Sequence, residues 1–164
     1  MKGWLGQIAR VGRMAEPAPE PDDPSVAVTR PSERRPCGSV QVRHVDAGSC
    51  NGCEIEVSGA FSPVYDAERY GARLVASPRH ADALLVTGVV TRNMAGPLRA
   101  TLAAVPQPRT VIAVGDCACD GGVFAGAYGV VGAVTDVVDV DVQVAGCPPT
   151  PTQIVAALRS VTGR

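Results

Sequence analysis

The sequence predicts an α/β fold with a doubly wound, mainly parallel sheet. Two kinds of pattern predict it. Continuous apolar runs that end near glycine, such as residues 81–90 (ADALLVTGVV) and 109–115 (RTVIAVG), are typical of strands buried on both faces of a sheet. Stretches with helical spacing of apolar residues lie between such runs. An alternation of strands and helices favours parallel strands joined by crossover helices.

The elements follow from local patterns along the chain. Residues 151–161 form the clearest helix, because Thr150 and Gln153 have the spacing of a capping box and Pro151 suits the first helical position. Strands are predicted at 39–45, 72–76, 81–90, 109–115 and 138–146, and further helices at 54–60, 64–71 and 94–105.

Composition restricts the class of protein. The chain has 164 residues, of which 46% are apolar and only 4% aromatic, so the core must consist of Val, Ala, Leu and Ile. The net charge of −1 gives no electrostatic basis for binding nucleic acid. Apolar runs stay shorter than the roughly 18 residues that a membrane-spanning helix needs. An export signal is not apparent, which favours a cytoplasmic protein.

The first 36 residues differ from the rest. Residues 2–14 combine apolar and basic side chains at roughly helical spacing, which fits either an amphipathic helix that docks on a partner or membrane surface, or a frayed terminus. Six of the 14 prolines lie between Pro17 and Pro36, which indicates an extended linker without packing of its own. The predicted division is therefore 1–36 for this segment and 37–164 for the α/β domain.

Cysteines mark the ends of three predicted strands. Cys50 and Cys53 follow the first strand, Cys117 follows the strand at 109–115, and Cys147 follows the strand at 138–146. The carboxyl ends of parallel strands meet at one edge of a sheet, where open α/β folds bind ligands. Four thiolates are the number that a 4Fe–4S cluster needs. Neighbouring glycines would give such a cluster room and backbone N–H groups.

Two other uses of these cysteines fit the pattern less well. Structural zinc prefers two close ligand pairs, whereas Cys117 and Cys147 lie thirty residues apart. A redox disulfide would use Cys50 and Cys53 but leave the others without a role. Spacing alone does not decide between Cys117 and Cys119, although Cys117 follows its strand more directly. Cys37 lies at the end of the linker, where no role is expected.

Four motifs, DAGSCNGCEIE, SPRHADALLVTGVVT, GDCACDGGVF and VDVQVAGCPPTP, resemble the small iron–sulfur subunit shared by membrane-bound group 4 nickel–iron hydrogenases and respiratory complex I. The likeness runs from about Val42 to Val161. It implies a flavodoxin-like domain that holds one 4Fe–4S cluster on Cys50, Cys53, Cys117 and Cys147.

The resemblance also implies a place in a larger assembly. The cluster subunit would relay electrons between a ferredoxin-like iron–sulfur subunit and a large catalytic subunit, with a membrane-embedded subunit nearby. The assembly would lie at the inner face of the cell membrane, and this chain alone would hold no complete active site. Residues 2–14 would then reach the membrane-embedded subunit.

Two branches of that family differ at the first motif. Quinone-reducing complex I members have adjacent cysteines there, whereas this chain has Gly52 before Cys53. That favours the hydrogenase branch, which includes formate hydrogenlyase, over a complex I-type subunit. A zinc-stabilised or cluster-free interaction domain is the alternative from another class.

Two charged residues were considered beside the cysteines. Glu54 directly follows Cys53 and is expected either to pass protons near the cluster or simply to favour the first turn of a helix. Arg79, in SPRHAD, could raise a cluster's reduction potential if it lay close by, or could serve ordinary turn chemistry.

Overall fold

The structure is a computed structural model that describes residues 24–30 and 38–164. The predicted helical segment at 2–14, most of the proline-rich segment and Cys37 lie outside these residues. Across the described ranges, the helices are too short and too polar to cross a lipid bilayer.

A six-stranded sheet forms the centre of the molecule, with the spatial order β1-β8-β6-β4-β2-β3. Its strands are β1 (Val26–Val28), β2 (Val40–Asp46), β3 (Ala72–Leu74), β4 (Ala83–Thr87), β6 (Thr110–Val114) and β8 (Val142–Val144). A small second sheet pairs β5 (Val90–Thr91) with β7 (Val130–Gly132).

The sheet confirms the predicted fold class. All neighbours except β1 and β8 pair in parallel. Counted in chain order, the five parallel strands have the spatial order 2-1-3-4-5, which is the flavodoxin-like order. The order reverses between β2 and β4. In such folds the crevice beyond the carboxyl ends of the strands at this reversal is the usual ligand site.

Helices cover both faces of the sheet. They are α1 (Gly52–Ala60), α2 (Arg92–Ala104), α3 (Asp116–Asp120) and α4 (Pro151–Thr162). Leu85 and Ile112 face a core shared with α1 and α4, whereas Leu84 and Val111 face a second core shared with α2 and α3. Every residue of β4 and β6 is buried, as the continuous apolar runs predict.

The predicted capping box at the start of α4 is present. The Gln153 N–H donates to the Thr150 hydroxyl, and the Thr150 N–H donates to the Gln153 side chain. Pro151 occupies the first turn. The helix begins where it does because its free N–H groups have these partners.

The stretch Val26–Val28 differs from the prediction of a linker without packing. It forms β1, which pairs antiparallel with β8 and places Val26 against Val144. The end of the strand is fixed by Arg30, whose guanidinium lies 3.4 Å from Asp139 and 3.7 Å from Asp141. A β-branched run next to an open sheet edge can add a strand even between prolines. The linker prediction is therefore wrong for this stretch.

Three other elements are shorter or different from the predictions. Residues 64–71 form only a 3-10 turn, Ala67–Tyr70, because Asp66 adopts φ 47 and its side chain accepts from the Arg69 N–H. The run at 81–90 is divided at Gly88, where φ is 75, into β4 and β5. The run at 138–146 contributes only β8 to the central sheet.

Candidate metal centre

The structure brings the four predicted cysteines to the carboxyl edge of the sheet. Cys50 and Cys53 lie in the turn from β2 into α1, Cys117 lies in α3 just after β6, and Cys147 follows β8. The ionised forms of Cys50, Cys117 and Cys147 would each raise the pKa of Cys53, which reflects how near the four lie to one another. Three separate strands therefore deliver thiols to one site, although these cysteines are far apart in sequence.

The loops that carry Cys117 and Cys147 are joined by hydrogen bonds. The Gly115 N–H donates to the Val144 carbonyl at 2.8 Å, and the Asp116 N–H donates to the Gly146 carbonyl at 2.9 Å. In return, the Gly146 N–H donates to the Asp116 carboxylate at 2.6 Å. These contacts tie the segment before Cys117 to the segment before Cys147. The two ligand loops should therefore move as one unit.

The loop that carries Cys50 is held by its own side chains. The Asp46 carboxylate accepts from the N–H groups of Gly48 and Ser49, both at 2.8 Å. The Ser49 hydroxyl accepts from the Asn51 N–H at 3.0 Å. Asn51 has φ 74, the left-handed region that asparagine tolerates better than most residues, and α1 begins directly after it. This sharp turn places Cys50 and Cys53 on the same side.

Glycines lie where the loops approach the thiols, and one of them is required. A Cβ on Gly115 would lie 2.5 Å from the Cys53 sulfur, and φ at Gly115 is +94. A Cβ on Gly52 would lie 3.6 Å from the Cys50 sulfur and 3.8 Å from the Pro148 ring, which brings the first motif next to the Cys147 loop. A side chain at Gly115 would therefore clash with the Cys53 sulfur, whereas one at Gly52 would make ordinary contacts.

Burial and charge oppose ionisation of the inner thiols. Burial, followed by the negative charges of Glu54 and the other three cysteines, raises the pKa of Cys53 to about 12. Burial also raises the pKa of Cys117, with Cys147 and Cys50 adding to the effect. Four thiolates without a cation are unfavourable here. A cationic iron–sulfur core bound between them would reverse that balance, since metal coordination deprotonates thiols.

Within residues 24–30 and 38–164, no three His, Cys, Asp or Glu side chains lie close enough together to hold one metal ion. Ligands of a four-iron cluster stand further apart, because each thiolate binds a different iron. Cys50 and Cys147 are exposed and Cys53 is buried, so the site is open on one side.

Cys119 points away from this group. Its sulfur lies 3.9 Å from the Ala113 carbonyl and 3.8 Å from the Val144 carbonyl, and it packs against the second core. Burial raises its pKa to about 11. These contacts support the choice of Cys117 over Cys119 as the ligand.

The two charged residues considered from the sequence lie at opposite edges of the sheet. Glu54 lies in the first turn of α1 beside Cys53, with its side chain 16% exposed. Arg79 is exposed and lies in the turn Pro78–His80, before the amino end of β4. The five residues of β4 separate that edge from the cysteines by about 16 Å. The structure therefore does not bring Arg79 to the site.

Other polar residues of the site were not predicted. Asp116 accepts from the Gly146 N–H and joins two ligand loops. Thr87, at the end of β4, is fully buried and donates its hydroxyl proton to the Glu54 carboxylate. His44 in β2 lies 3.0 Å from the Thr87 hydroxyl, and burial lowers its pKa below 6.5, against the charges of Glu54 and Asp46. Sequence offers no signal for these contacts, because they join residues 30 or more positions apart.

Two named proteins are similar to this chain in sequence. The chain is 46% identical over 136 residues to formate hydrogenlyase subunit 7 of Escherichia coli, covering 82% of this chain and 53% of that protein. It is 48% identical over 113 residues to the probable membrane-bound hydrogenase subunit mbhJ of Pyrococcus furiosus, covering 69% of this chain and 68% of that protein. The chain thus spans about half the length of the first relative and two thirds of the second.

Two solved structures are similar to this chain in fold. A chain of the membrane-bound sulfane sulfur reductase, an archaeal respiratory membrane complex, superposes with a TM-score of 0.67 at 31% identity, covering 77% of this chain and 70% of that chain. A chain of an NAD+-reducing [NiFe]-hydrogenase superposes with a TM-score of 0.55 at 20% identity, covering 70% of this chain and 85% of that chain, and supports the fold alone.

The family model described as NADH ubiquinone oxidoreductase, 20 Kd subunit, matches residues 50–161, which include the four cysteines of the site. This match covers more than half of the chain, and each of the two subunits named above is similar to more than two thirds of the chain. The resemblance found from the sequence motifs is confirmed, and the chain belongs to the family of the 20 kDa subunit of NADH ubiquinone oxidoreductase.

Proposed function

We propose that this chain is the electron-transfer subunit of a membrane-associated, hydrogenase-like complex of the formate hydrogenlyase type. It holds one 4Fe–4S cluster on Cys50, Cys53, Cys117 and Cys147. A bound cluster of this kind supplies one-electron transfer. Electrons would pass between a ferredoxin-like subunit and a large catalytic subunit.

The observation that carries the proposal is the convergence of these four thiols at the reversal point of the sheet. Cys53 is 8% exposed and lies under the site, whereas Cys50 and Cys147 are exposed at its mouth. A side chain at Gly115 would meet the Cys53 sulfur, so the backbone passes close to this thiol. These features support a bulky inorganic ligand rather than a disulfide.

Apolar side chains around the mouth support a covering partner. Val123 is 84% exposed and Tyr128 is 88% exposed, and both lie in the segment after α3. This segment packs on the site, since a Cβ on Gly122 would lie 3.1 Å from the Cys117 sulfur. Ile55, two residues after Cys53, is 63% exposed. Exposed apolar groups beside an open site are typical of an interface, and we assign this one to the large subunit.

The place of the complex is part of the proposal. The named relatives include a probable membrane-bound hydrogenase subunit and a chain of a respiratory membrane complex. A peripheral position at the inner face of the cell membrane would put the chain next to a membrane-embedded subunit. Glu54 is proposed to act beside the cluster, either in proton transfer or through its charge.

A complex I-type cluster subunit is the second candidate within the same family. Gly52 favours the hydrogenase branch, and two of the named relatives are hydrogenase-type subunits. Nickel-binding cysteine pairs in the large subunit that co-purifies with this chain would support the hydrogenase type. Their absence would support the complex I type. A zinc-stabilised or cluster-free interaction domain is the candidate from another class.

Metal analysis of anaerobically prepared protein tests the central claim. Purified and reconstituted chain should contain about four irons and four sulfides and should show the broad visible absorption of a thiolate-bound cluster. Stoichiometric zinc without iron would support the interaction-domain alternative instead. Protein that stays folded after reconstitution but contains neither zinc nor iron would contradict both the cluster and the zinc site.

Co-expression tests the partner claim. The chain expressed with its large subunit should purify as a stable heteromer, whereas the chain alone should lose its cluster in air because Cys50 and Cys147 are exposed. A lone chain that keeps its cluster in air and does not co-purify with the large subunit would contradict the proposed interface.

A further inference from the structure

Four polar side chains form a hydrogen-bonded chain beside Cys53. The Ser49 hydroxyl donates to one carboxylate oxygen of Glu54, and the Thr87 hydroxyl donates to the other. The Nε2 atom of His44 lies 3.0 Å from the Thr87 hydroxyl and 3.8 Å from the carboxylate. Both oxygens of Glu54 therefore have a donor, and each donor comes from a different segment of the fold.

The direction of these hydrogen bonds follows from the number of protons. A hydroxyl has one proton, and Thr87 gives its proton to Glu54. The Thr87 oxygen must then accept from His44, which assigns the Nε2–H to this ring. The chain thus runs from His44 through Thr87 to Glu54. A defined direction means that removing the hydroxyl of Thr87 would break two contacts at once.

The hydrogen-bonded side chains connect the central sheet to the loop that carries Cys50. Thr87 is fully buried at the end of the central strand β4, and His44 belongs to β2 next to it. Glu54 follows Cys53 directly, and Ser49 precedes Cys50 directly. The carboxylate therefore connects both ends of the first cysteine motif to the centre of the sheet.

We propose that Thr87 and Ser49 are positioning residues that hold the carboxylate of Glu54 beside Cys53, and that this fixed negative charge lowers the reduction potential of the cluster. The inference rests on the proposed function for the cluster itself. Net charge and hydrogen bonding near the sulfurs are among the main factors that set cluster potentials. An added electron is less favourable next to a negative charge, and the effect depends on distance.

Reduction potentials of reconstituted variants test the inference. Glu54→Gln should shift the potential to a more positive value. Thr87→Val should shift it in the same direction because the released carboxylate turns toward solvent, whereas Thr87→Ser keeps the hydroxyl and should match the wild type. Glu56→Gln is the matched control. It removes the same charge from the same helix, but Glu56 is not part of the hydrogen-bonded group around Glu54, so the shift should be smaller.

Two outcomes would overturn the inference. Equal shifts in Glu54→Gln and Glu56→Gln would mean that the position of the charge does not matter. A shift in Glu54→Gln without one in Thr87→Val would remove the positioning role of Thr87. If Thr87→Val does not hold the cluster, Ser49→Ala removes the other donor and tests the same claim, and an unchanged potential there would also overturn it.

A second measurement does not need the cluster. In the metal-free, reduced protein, Thr87→Val and Ser49→Ala should increase the rate at which the exposed thiol of Cys50 is alkylated by iodoacetamide, and Thr87→Ser should not. Equal rates in all variants would contradict the claim that Thr87 and Ser49 hold the carboxylate of Glu54 in place. Wild-type protein that binds no four-iron cluster would instead refute the proposed function. The alkylation rates would still decide whether Thr87 and Ser49 hold Glu54 in place.

Discussion

Replacing Gly115 by alanine should destabilise the protein and prevent it from holding four irons. The backbone at Gly115 has φ 94 and ψ 153, a region that is open almost only to glycine. Holding another residue there costs about 1–3 kcal/mol. The new Cβ would lie 2.5 Å from the Cys53 sulfur, and overpacking of this kind adds about 1–3 kcal/mol. The expected loss is roughly 2–6 kcal/mol in the free energy of unfolding.

Gly126→Ala provides the matched control. Gly126 also has a positive φ, of +75, but a Cβ there would meet nothing within 4 Å. This variant should lose only about 1–2 kcal/mol for its backbone conformation and should keep its irons. Urea unfolding of the reduced, metal-free proteins gives the free energies, and iron analysis after anaerobic reconstitution gives the cluster content.

A double-mutant cycle separates the contact from the backbone. Cys53→Ala removes the sulfur that the Gly115→Ala side chain would meet. It should therefore lower the free energy of unfolding less in the Gly115→Ala protein than in the wild type. The coupling should be about 1–3 kcal/mol, the part assigned to overpacking. Additive effects, or a Gly115→Ala protein that binds four irons as stably as Gly126→Ala, would refute the reasoning that this glycine makes room between the cysteines.

Three further predictions follow from the site. Cys117→Ser should abolish the cluster and Cys119→Ser should leave it intact; the opposite result in iron analysis would exchange the two ligand assignments. Asp116→Ala should remove the hydrogen bond between two ligand loops, lower the free energy of unfolding by about 1–3 kcal/mol and speed the loss of iron in air, and unchanged iron loss would contradict its linking role. Because burial lowers the pKa of His44 below 6.5, the unfolded chain takes up a proton before the folded chain does as pH falls, so the free energy of unfolding should decrease from about pH 7 to about pH 5. His44→Gln should flatten that dependence in urea titrations and the exposed His80→Gln should not, and equal slopes in both variants would contradict the burial of His44.

The sequence predicted the centre of the fold because its signals are local. Strands that are buried on both faces read as continuous apolar runs, and β4 and β6 show this pattern clearly. The start of α4 is equally local, since Thr150 and Gln153 interact across one helical turn. The edge strand β1 and the small sheet of β5 and β7 were missed because they are short and depend on partners far away in sequence.

Local signals likewise predicted part of the candidate site and missed the rest. The positions of Cys50, Cys53, Cys117 and Cys147 after predicted strands were visible, because parallel strands carry their carboxyl ends to one edge. The partners of Glu54 were not visible, since Thr87 lies 33 positions away. The position of Arg79 before a strand, rather than after one, already placed it at the far edge of a parallel sheet, and this topological signal was available in the sequence.

The two sides of the site differ in what supports them. Cys53 and Thr87 are buried on the inner side, where hydrogen bonds and the ends of β-strands fix the geometry. On the outer side, Cys50 and Cys147 are exposed, and the segment with Tyr128 presents apolar groups to solvent. A cluster held by exposed thiolates is accessible to oxygen and water, and solvent exposure also affects its potential. On the proposed function, this chain sets the inner half of the cluster's environment and the large subunit sets the outer half. Substitutions on the inner side should therefore change the reduction potential even in the isolated chain. Substitutions at the mouth should change it only in the assembled complex.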